Sequence, residues 1–173
     1  MDRRDILGGG LTLIASAITG SAKGQARITS VQPHDTRFME MAIAEATKAA
    51  FPFGAVIVKN NEVIARGYNR TGVDHDPTAH GEMVAIRACL AAHGPDALKE
   101  ATLYTSGEPC CMCMGAIIWC EIGRLVYAAS VTQLSTKIGQ IMLSAEDVAA
   151  KTPFMQIDIA GGVLDQKAMA LFK

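Results

Sequence analysis

Two short motifs, His80-Gly81-Glu82 and Pro109-Cys110-Cys111-Met112-Cys113, constrain this chain more than any other feature of its sequence. They supply one imidazole, a carboxylate and two sulfurs three residues apart. Residues three apart on a helix face the same way, so Cys110 and Cys113 can bind one ion. Three protein ligands leave one coordination position open, as catalytic zinc sites do. The motifs therefore predict a catalytic zinc site with His80, Cys110 and Cys113 as its ligands.

The carboxylate of Glu82 has a different predicted role. It lies two positions from His80, so on a regular helix the two side chains point in different directions and Glu82 need not bind the metal. A carboxylate beside an activated water can take its proton and pass protons to a ring nitrogen and a departing amine. This combination predicts metal-assisted hydrolysis, with Glu82 as the catalytic residue. The pair of motifs resembles the signature of zinc-dependent nucleobase deaminases, and this resemblance implies that the reaction is hydrolytic deamination.

A structural zinc site or a disulfide pair is the alternative reading of these motifs, because the chain has five cysteines. A structural site usually has a fourth protein ligand. Cys111 is adjacent to Cys110 and is expected to point off the shared face, while Cys89 and Cys120 fall on predicted helices where small buried cysteines are common. We therefore expect these three cysteines to be packing residues.

The order of the predicted elements indicates an α/β fold with three α/β/α layers and a mixed sheet of five strands. Helices are expected from Asp35 or Thr36 to near Pro52, from Pro77-Thr78 to near Gly94, and over Cys110–Trp119. Strands are expected at residues 55–58, 63–65, 102–105, 125–129 and 155–159, the first two as an antiparallel hairpin and the later ones parallel. In such sheets the helix N-termini gather at the carboxyl ends of strands, which would bring His80 to the cysteines.

The first residues differ from the rest of the chain. Arg3-Arg4 precede an apolar, glycine-rich stretch that is shorter than the roughly 20 residues of a membrane span. We interpret residues 1–26 as an export signal of the twin-arginine type, and residues 27–173 as one catalytic domain. We therefore expect the protein to be located in the periplasm and to have no stable membrane span. The alternative is a frayed amino-terminal tail.

The net charge of the chain bears on whether its partner is a nucleic acid or a small molecule. The formal net charge is −1, and no run of basic residues is present to neutralise a phosphate backbone. A small molecule is therefore the expected substrate, and a nucleic acid is not favoured as a partner.

Several segments around the motifs resemble the cytidine deaminase superfamily, and the resemblance covers essentially everything after the signal. Within it, residues 103–110 and 115–119 are most similar to the guanine deaminase branch, whereas residues 161–165 resemble the tail of bacterial tRNA adenosine deaminases. The resemblance implies a cytidine-deaminase-like fold, zinc on His80, Cys110 and Cys113, and Glu82 as proton shuttle. It also implies that Asn69 contacts the substrate, that Phe53 and Trp119 form pocket walls, that Phe172 helps to close the pocket, and that the chain forms a homodimer.

Two departures from the family pattern bear on the substrate. Gly81 stands where an alanine is usual, which predicts a wider pocket floor, and residues 130–143 lack the acidic residues typical of the guanine branch. The expected substrate is a small amino-substituted heterocycle, first a guanine-like purine base or nucleoside. A cytosine-type deaminase and a tRNA adenosine deaminase are the alternatives, and a zinc-binding module without activity is a third.

Overall fold

The computed structural model describes residues 26–173, so the predicted export signal lies outside the described residues except for Ala26. Within that range, strands and helices alternate along the chain. The strands are β1 Ala26–Ile28, β2 Gly54–Lys59, β3 Glu62–Tyr68, β4 Thr102–Gly107, β5 Arg124–Ala129 and β6 Ile157–Ala160. The helices are α1 Asp35–Ala46, α2 Gly81–His93, α3 Cys111–Trp119, α4 Val131–Ser135, α5 Ala145–Ala150 and α6 Asp165–Met169, with one 3₁₀ turn at Pro95–Ala97.

One mixed sheet organises the described residues, with strand order β1-β6-β5-β4-β2-β3. β2 pairs antiparallel with both β3 and β4, whereas β4, β5, β6 and β1 run parallel. The β2–β3 hairpin turns at Asn60 and Asn61, which both have positive φ values of 53° and 64°. Asparagine tolerates this conformation, and two such residues suit the right-handed twist of a hairpin. The predicted antiparallel start and parallel continuation are confirmed.

Alternate side chains of the strands fill two separate cores. Ile57, Leu103 and Leu125 belong to the core under α2, α3 and α5, whereas Val56, Tyr104 and Val126 belong to the core under α1 and α6. Successive strand residues point to opposite faces, so both faces of this sheet are apolar and each is covered by helices. The predicted three-layer α/β/α fold is confirmed.

The sheet has six strands among the described residues, where the sequence predicted five. The additional strand is β1, three residues long, which pairs parallel with β6 through Ala26 and Ile157. A strand this short, with half-buried or exposed residues, gives no alternating pattern to detect. Helix α1 also ends at Ala46 and not near Pro52, since the next N–H groups, of Lys48 and Ala49, donate to carbonyls three residues back and not four.

A buried polar cluster fixes α1 to the sheet. Asp35, the first residue of α1, is fully buried and accepts hydrogen bonds from the Tyr104 hydroxyl at 2.8 Å and from the Arg124 guanidinium at 2.7 and 2.8 Å. The N–H of Gln32 donates to the same carboxylate at 2.7 Å. Because Tyr104 lies on β4 and Arg124 on β5, a single carboxylate joins the helix to two central strands.

Candidate metal centre and active site

The metal-ligand group forms where α2 and α3 begin. His80 and Cys110 are the N-cap residues of these helices, and both have extended backbones, with φ and ψ of −65° and 157° for His80 and −63° and 166° for Cys110. Neither side chain makes a capping hydrogen bond to its own helix. Both side chains therefore remain available for another ligand, and Cys113, one turn into α3, faces the same point.

The distances within this group match those of tetrahedral zinc ligands. Nδ1 of His80 lies 3.7 Å from Sγ of Cys110 and 3.6 Å from Sγ of Cys113. Zinc bonds of about 2.1 Å to nitrogen and 2.3 Å to sulfur at tetrahedral angles put these atoms about 3.6 Å apart. Among residues 26–173, His80, Cys110 and Cys113 are the group of histidine, cysteine and acidic side chains that could hold a metal ion. The predicted His-Cys-Cys set thus fits zinc.

The two cysteines differ in how easily they lose a proton. A hydrogen bond from the Cys113 thiol, together with the adjacent imidazole of His80, lowers the pKa of the Cys110 thiol to about 4. The hydrogen bond to Cys110 and burial raise the pKa of the Cys113 thiol above its ordinary value. The pair therefore loses its first proton more readily than its second, and a divalent metal ion that binds both sulfurs favours loss of the second.

Glu82 lies beside this group but is not part of it. Its side chain is buried, 3% exposed, and Oε1 accepts a hydrogen bond from the Thr105 hydroxyl at 3.0 Å. Burial raises the pKa of the Glu82 carboxyl above its ordinary value. A carboxyl group held by a strand residue, with a raised pKa, is suited to receive and return a proton.

A cavity of about 360 Å³ opens above Glu82 and the ligand group, within the size range of small-molecule sites. Phe53 and Asn69 both line it, as the sequence predicted. The two residues are neighbours because the N–H of Asn69, just after β3, donates to the carbonyl of Phe53, just before β2, at 2.8 Å. The lining is completed by Phe51, Pro77, His80, Glu108, Cys110, Met112, Gly139, Gln140 and Ile141.

Trp119, the other predicted pocket wall, does not line this cavity. Its side chain is 75% exposed, and its ring packs against Phe154 with centroids 4.9 Å apart. Helix α3 begins at the metal-ligand group, and at 1.5 Å per residue its far end lies about 12 Å away. Within this single chain Trp119 lies away from the cavity, and its role as a pocket wall stays a prediction.

Phe172 and Gly81 both pack against Phe53, Phe172 against its ring and Gly81 against its main chain. The ring of Phe172 lies behind that of Phe53, with centroids 5.2 Å apart, so it supports the wall without lining the cavity. Gly81 is buried against the main chain, where a Cβ atom would lie 3.0 Å from the carbonyl oxygen of Phe53. The expectation that Gly81 widens the pocket floor is wrong, because this glycine lets α2 approach the start of β2.

The sequence did not reveal Glu108 and the segment that completes the cavity. Glu108 is 6% exposed and accepts hydrogen bonds from the N–H groups of Val131 and Ala145, the first residues of α4 and α5. Its position between a strand and Pro109-Cys110 was visible, but its partners follow from tertiary contacts. Gly139, Gln140 and Ile141, which line the outer side, give no sequence signal.

The remaining cysteines fit the prediction that they pack in the interior. Cys89 is buried, Cys111 and Cys120 are half-buried, and the five cysteines of residues 26–173 are all free thiols.

Over residues 26–173, no helix combines the length and the apolar character required to cross a bilayer.

Comparisons with known proteins identify the fold and the site. A family model described as the cytidine and deoxycytidylate deaminase zinc-binding region matches residues 32–129. The guanine deaminase of Bacillus subtilis (strain 168) is 49% identical over 81 residues, which cover 47% of this chain and 52% of that protein. The tRNA-specific adenosine deaminase of Agrobacterium fabrum is 46% identical over 98 residues, which cover 54% of this chain and 64% of that protein.

A solved structure from a study of A-to-I editing by tRNA:A34 deaminases is similar with a TM-score of 0.68. It is 36% identical, and the match covers 79% of this chain and 99% of that one. The chain spans about half to two thirds of the length of the first curated relatives that it matches. Because the family model covers more than half of the chain and agrees with the ligand group, we conclude that the chain belongs to the zinc-binding cytidine and deoxycytidylate deaminase family.

Proposed function

We propose that this chain is a zinc-dependent hydrolase that removes an amino group from a small heterocycle and releases ammonia. One observation carries the proposal: the buried carboxylate of Glu82 and the His80, Cys110 and Cys113 ligand group line or adjoin a single cavity. The experiment is ammonia release from purines, pyrimidines, their nucleosides and aminotriazines, with chelator-treated protein as control. Zinc-dependent release from at least one compound supports the proposal, and none from any compound refutes it.

The three metal ligands and Glu82 have separate roles in the proposed reaction. A zinc ion on the three ligands supplies Lewis acidity and lowers the pKa of a water molecule. Glu82 accepts the proton of the attacking water while a C–O bond forms at the ring carbon that bears the amine. Glu82 passes this proton to the ring nitrogen, then takes the second proton from the hydroxyl now on the ring carbon and passes it to the amine, and the C–N bond breaks as the carbonyl forms. The balance is one water consumed and one ammonia released for each carbonyl formed.

A guanine-like purine base or nucleoside is our first choice of substrate. The similarity to the guanine deaminase of Bacillus subtilis over 81 residues supports it, as do Phe53, which offers an apolar ring wall, and Asn69, which offers an amide. The lining holds one carboxylate besides Glu82, that of Glu108, and both of its oxygens already accept main-chain hydrogen bonds. Cytosine, whose N3 and O2 beside the amino-bearing carbon are both acceptors, is the second small substrate to test.

An adenosine in tRNA is the candidate of another substrate class. The solved structure from the tRNA:A34 deaminase study supports it, because this chain covers 99% of that structure. The near-neutral charge favours a small molecule, since phosphate backbones are bound largely through basic residues. Inosine formation in tRNA, without ammonia release from free bases or nucleosides, would reverse the order of these candidates.

We also propose a homodimer. Trp119, 75% exposed, and Phe154, 54% exposed, form an apolar pair on the molecular surface at the end of α3. Exposed aromatic pairs of this kind are typical of protein contacts. Light scattering should give the mass of two chains for the wild type and of one chain for Trp119→Glu. A monomeric wild type would refute the dimer.

Export to the periplasm through the twin-arginine route remains our proposal for location. Ala26 pairs with Ile157 in the sheet, which favours cleavage near Ala22 over cleavage after Ala26. Replacing Arg3 and Arg4 together by lysine should retain the protein in the cytoplasm. Unaltered export of that variant would refute this route.

A further inference from the structure

A single buried carboxylate joins the metal-binding turn to both ends of one cavity wall. Glu108 lies between the end of β4 and Cys110, and its own N–H donates to the carbonyl of Ala129 at 2.7 Å. Its Oε2 accepts the N–H of Val131 at 2.7 Å, and its Oε1 accepts the N–H of Ala145 at 2.8 Å. Both oxygens are therefore used, and each is used by a different helix.

These two bonds are not ordinary helix caps. Ser130 already caps α4 by accepting the N–H of Gln133 at 3.2 Å, and Ser144 caps α5 by accepting that of Asp147 at 3.0 Å. Glu108 adds a second hydrogen bond at the start of each helix. It accepts the N–H of the first helical residue, which has no acceptor within its own helix. The extra bonds connect both helices to the turn of Cys110, which local capping cannot do.

The residues between these helices form the outer wall of the cavity. We call residues 136–144 the α4–α5 connection, and Gly139, Gln140 and Ile141 within it line the cavity. The side chains of Ile141 and Met142 are 62% and 60% exposed, and the N–H of Leu143 donates only as far as the carbonyl of Ile141. A segment with few buried side chains and only local hydrogen bonds is held in place mainly by the helices at its two ends.

We propose that Glu108 is a positioning residue for the substrate: it holds the start of α4, the five-residue helix before the α4–α5 connection, and the start of α5, directly after it, to the turn of Cys110, and thereby sets the width of the cavity. The proposal rests on the proposed function, in that this cavity receives the substrate. Glu108 does not touch the reacting atoms in this role. It acts through Gly139, Gln140 and Ile141, which line the same cavity as His80 and Cys110.

Glu108→Gln is the variant that tests this proposal most directly. The amide retains one acceptor oxygen but places an NH₂ group against the second main-chain N–H, so two donors face each other and one helix start is released. We expect KM to rise about ten-fold while kcat changes less than about three-fold, because ground-state positioning is lost and the chemical groups are intact. KM is measured for guanine, or for whichever panel compound releases ammonia fastest.

Hydrogen exchange separates positioning from general stability. In the zinc-loaded full chain, amides of residues 136–144 should exchange faster in Glu108→Gln, with α2 unchanged and one zinc per chain retained. The matched control is Glu45→Gln, which changes another buried carboxylate: Glu45 lies on α1, pairs with Lys48 just after that helix, and does not line the cavity. It should leave both KM and exchange at residues 136–144 as in the wild type.

Two outcomes overturn the proposal: a folded, zinc-loaded Glu108→Gln with unchanged KM, or one with unchanged exchange in the α4–α5 connection. If Glu108→Gln does not fold, Glu108→Asp decides in the same way, since its shorter side chain keeps the charge but cannot reach both helices. Absence of deaminase activity in the wild type would refute the proposed function instead, and exchange would then still test whether Glu108 holds the connection.

Discussion

The main-chain N–H of Thr71 donates to Oδ1 of Asn69 at 3.1 Å, and the Thr71 hydroxyl lies 2.9 Å from the same atom. A main-chain N–H is only a donor, so the atom facing it must be the amide oxygen. The NH₂ group of Asn69 is therefore the part left for the cavity. Asn69 thus presents a donor, and we expect it to select substrates that offer an acceptor at that position.

Asn69→Asp tests this orientation because it exchanges the donor for an acceptor of the same shape. We expect kcat/KM to fall about 10- to 100-fold, the usual cost of one lost hydrogen bond to a buried group, with zinc content unchanged. Thr71→Val removes only the hydroxyl bond and should reduce kcat/KM a few-fold. Thr47→Val, which removes a hydroxyl bond at the end of α1 and does not line the cavity, is the control. A fully active Asn69→Asp would contradict the assignment.

Glu82→Gln separates zinc binding from catalysis. The amide cannot accept and return a proton, so kcat should fall at least about 100-fold, while one zinc per chain is retained because Glu82 is outside the ligand group. Thr105→Val should have a smaller effect, since it removes only the hydroxyl that donates to Glu82. The exposed Glu121→Gln serves as control. Kinetics and metal analysis on the same preparations decide, and a Glu82→Gln enzyme with normal turnover would rule out the mechanism.

The residues that could be predicted from the sequence are those whose evidence is local. His80 and Cys110 stand at helix starts, which spacing and capping patterns reveal, and the strand order then brings them together. Glu108 could not be predicted in its role, because its two partners lie more than twenty residues away along the chain and are reached only when α4 and α5 fold back. Trp119 is the converse case: it ends the helix that carries the ligands, but within one chain the far end of that helix does not reach the cavity, and its role as a pocket wall stays a prediction.

Asp35→Asn should destabilise the fold without changing the site. The substitution leaves the Arg124 guanidinium, 15% exposed, without its carboxylate, and breaking a buried pair typically costs about 3–5 kcal/mol. Urea unfolding of both proteins in excess zinc measures the difference. The control is Asp158→Asn, whose partner Arg27 is largely exposed, and it should unfold close to the wild type. Equal stability of the wild type and Asp35→Asn would contradict this role for the cluster.

The same cluster predicts how stability depends on acid. Burial acts to raise the pKa of the Asp35 carboxyl, but the hydrogen bonds from Arg124, the Gln32 main chain and Tyr104 outweigh it and hold the pKa below its ordinary value near 4. A lowered folded-state pKa stabilises the protein above the unfolded-state value, and this contribution is lost as pH falls through the folded-state pKa. The stability difference between wild type and Asp35→Asn should therefore be constant from about pH 7 to 5 and shrink below about pH 4.

The difference between the two proteins isolates Asp35, because acid protonates the zinc ligands equally in both. Urea unfolding at half-unit steps from pH 7 to 3 gives the two curves. A difference that shrinks already between pH 7 and 5, where an Asp35 carboxyl with a lowered pKa stays ionised, would mean that another group controls the loss of stability. A difference that grows toward acid would mean that the pKa of Asp35 is raised in the fold, and that burial outweighs the three donors.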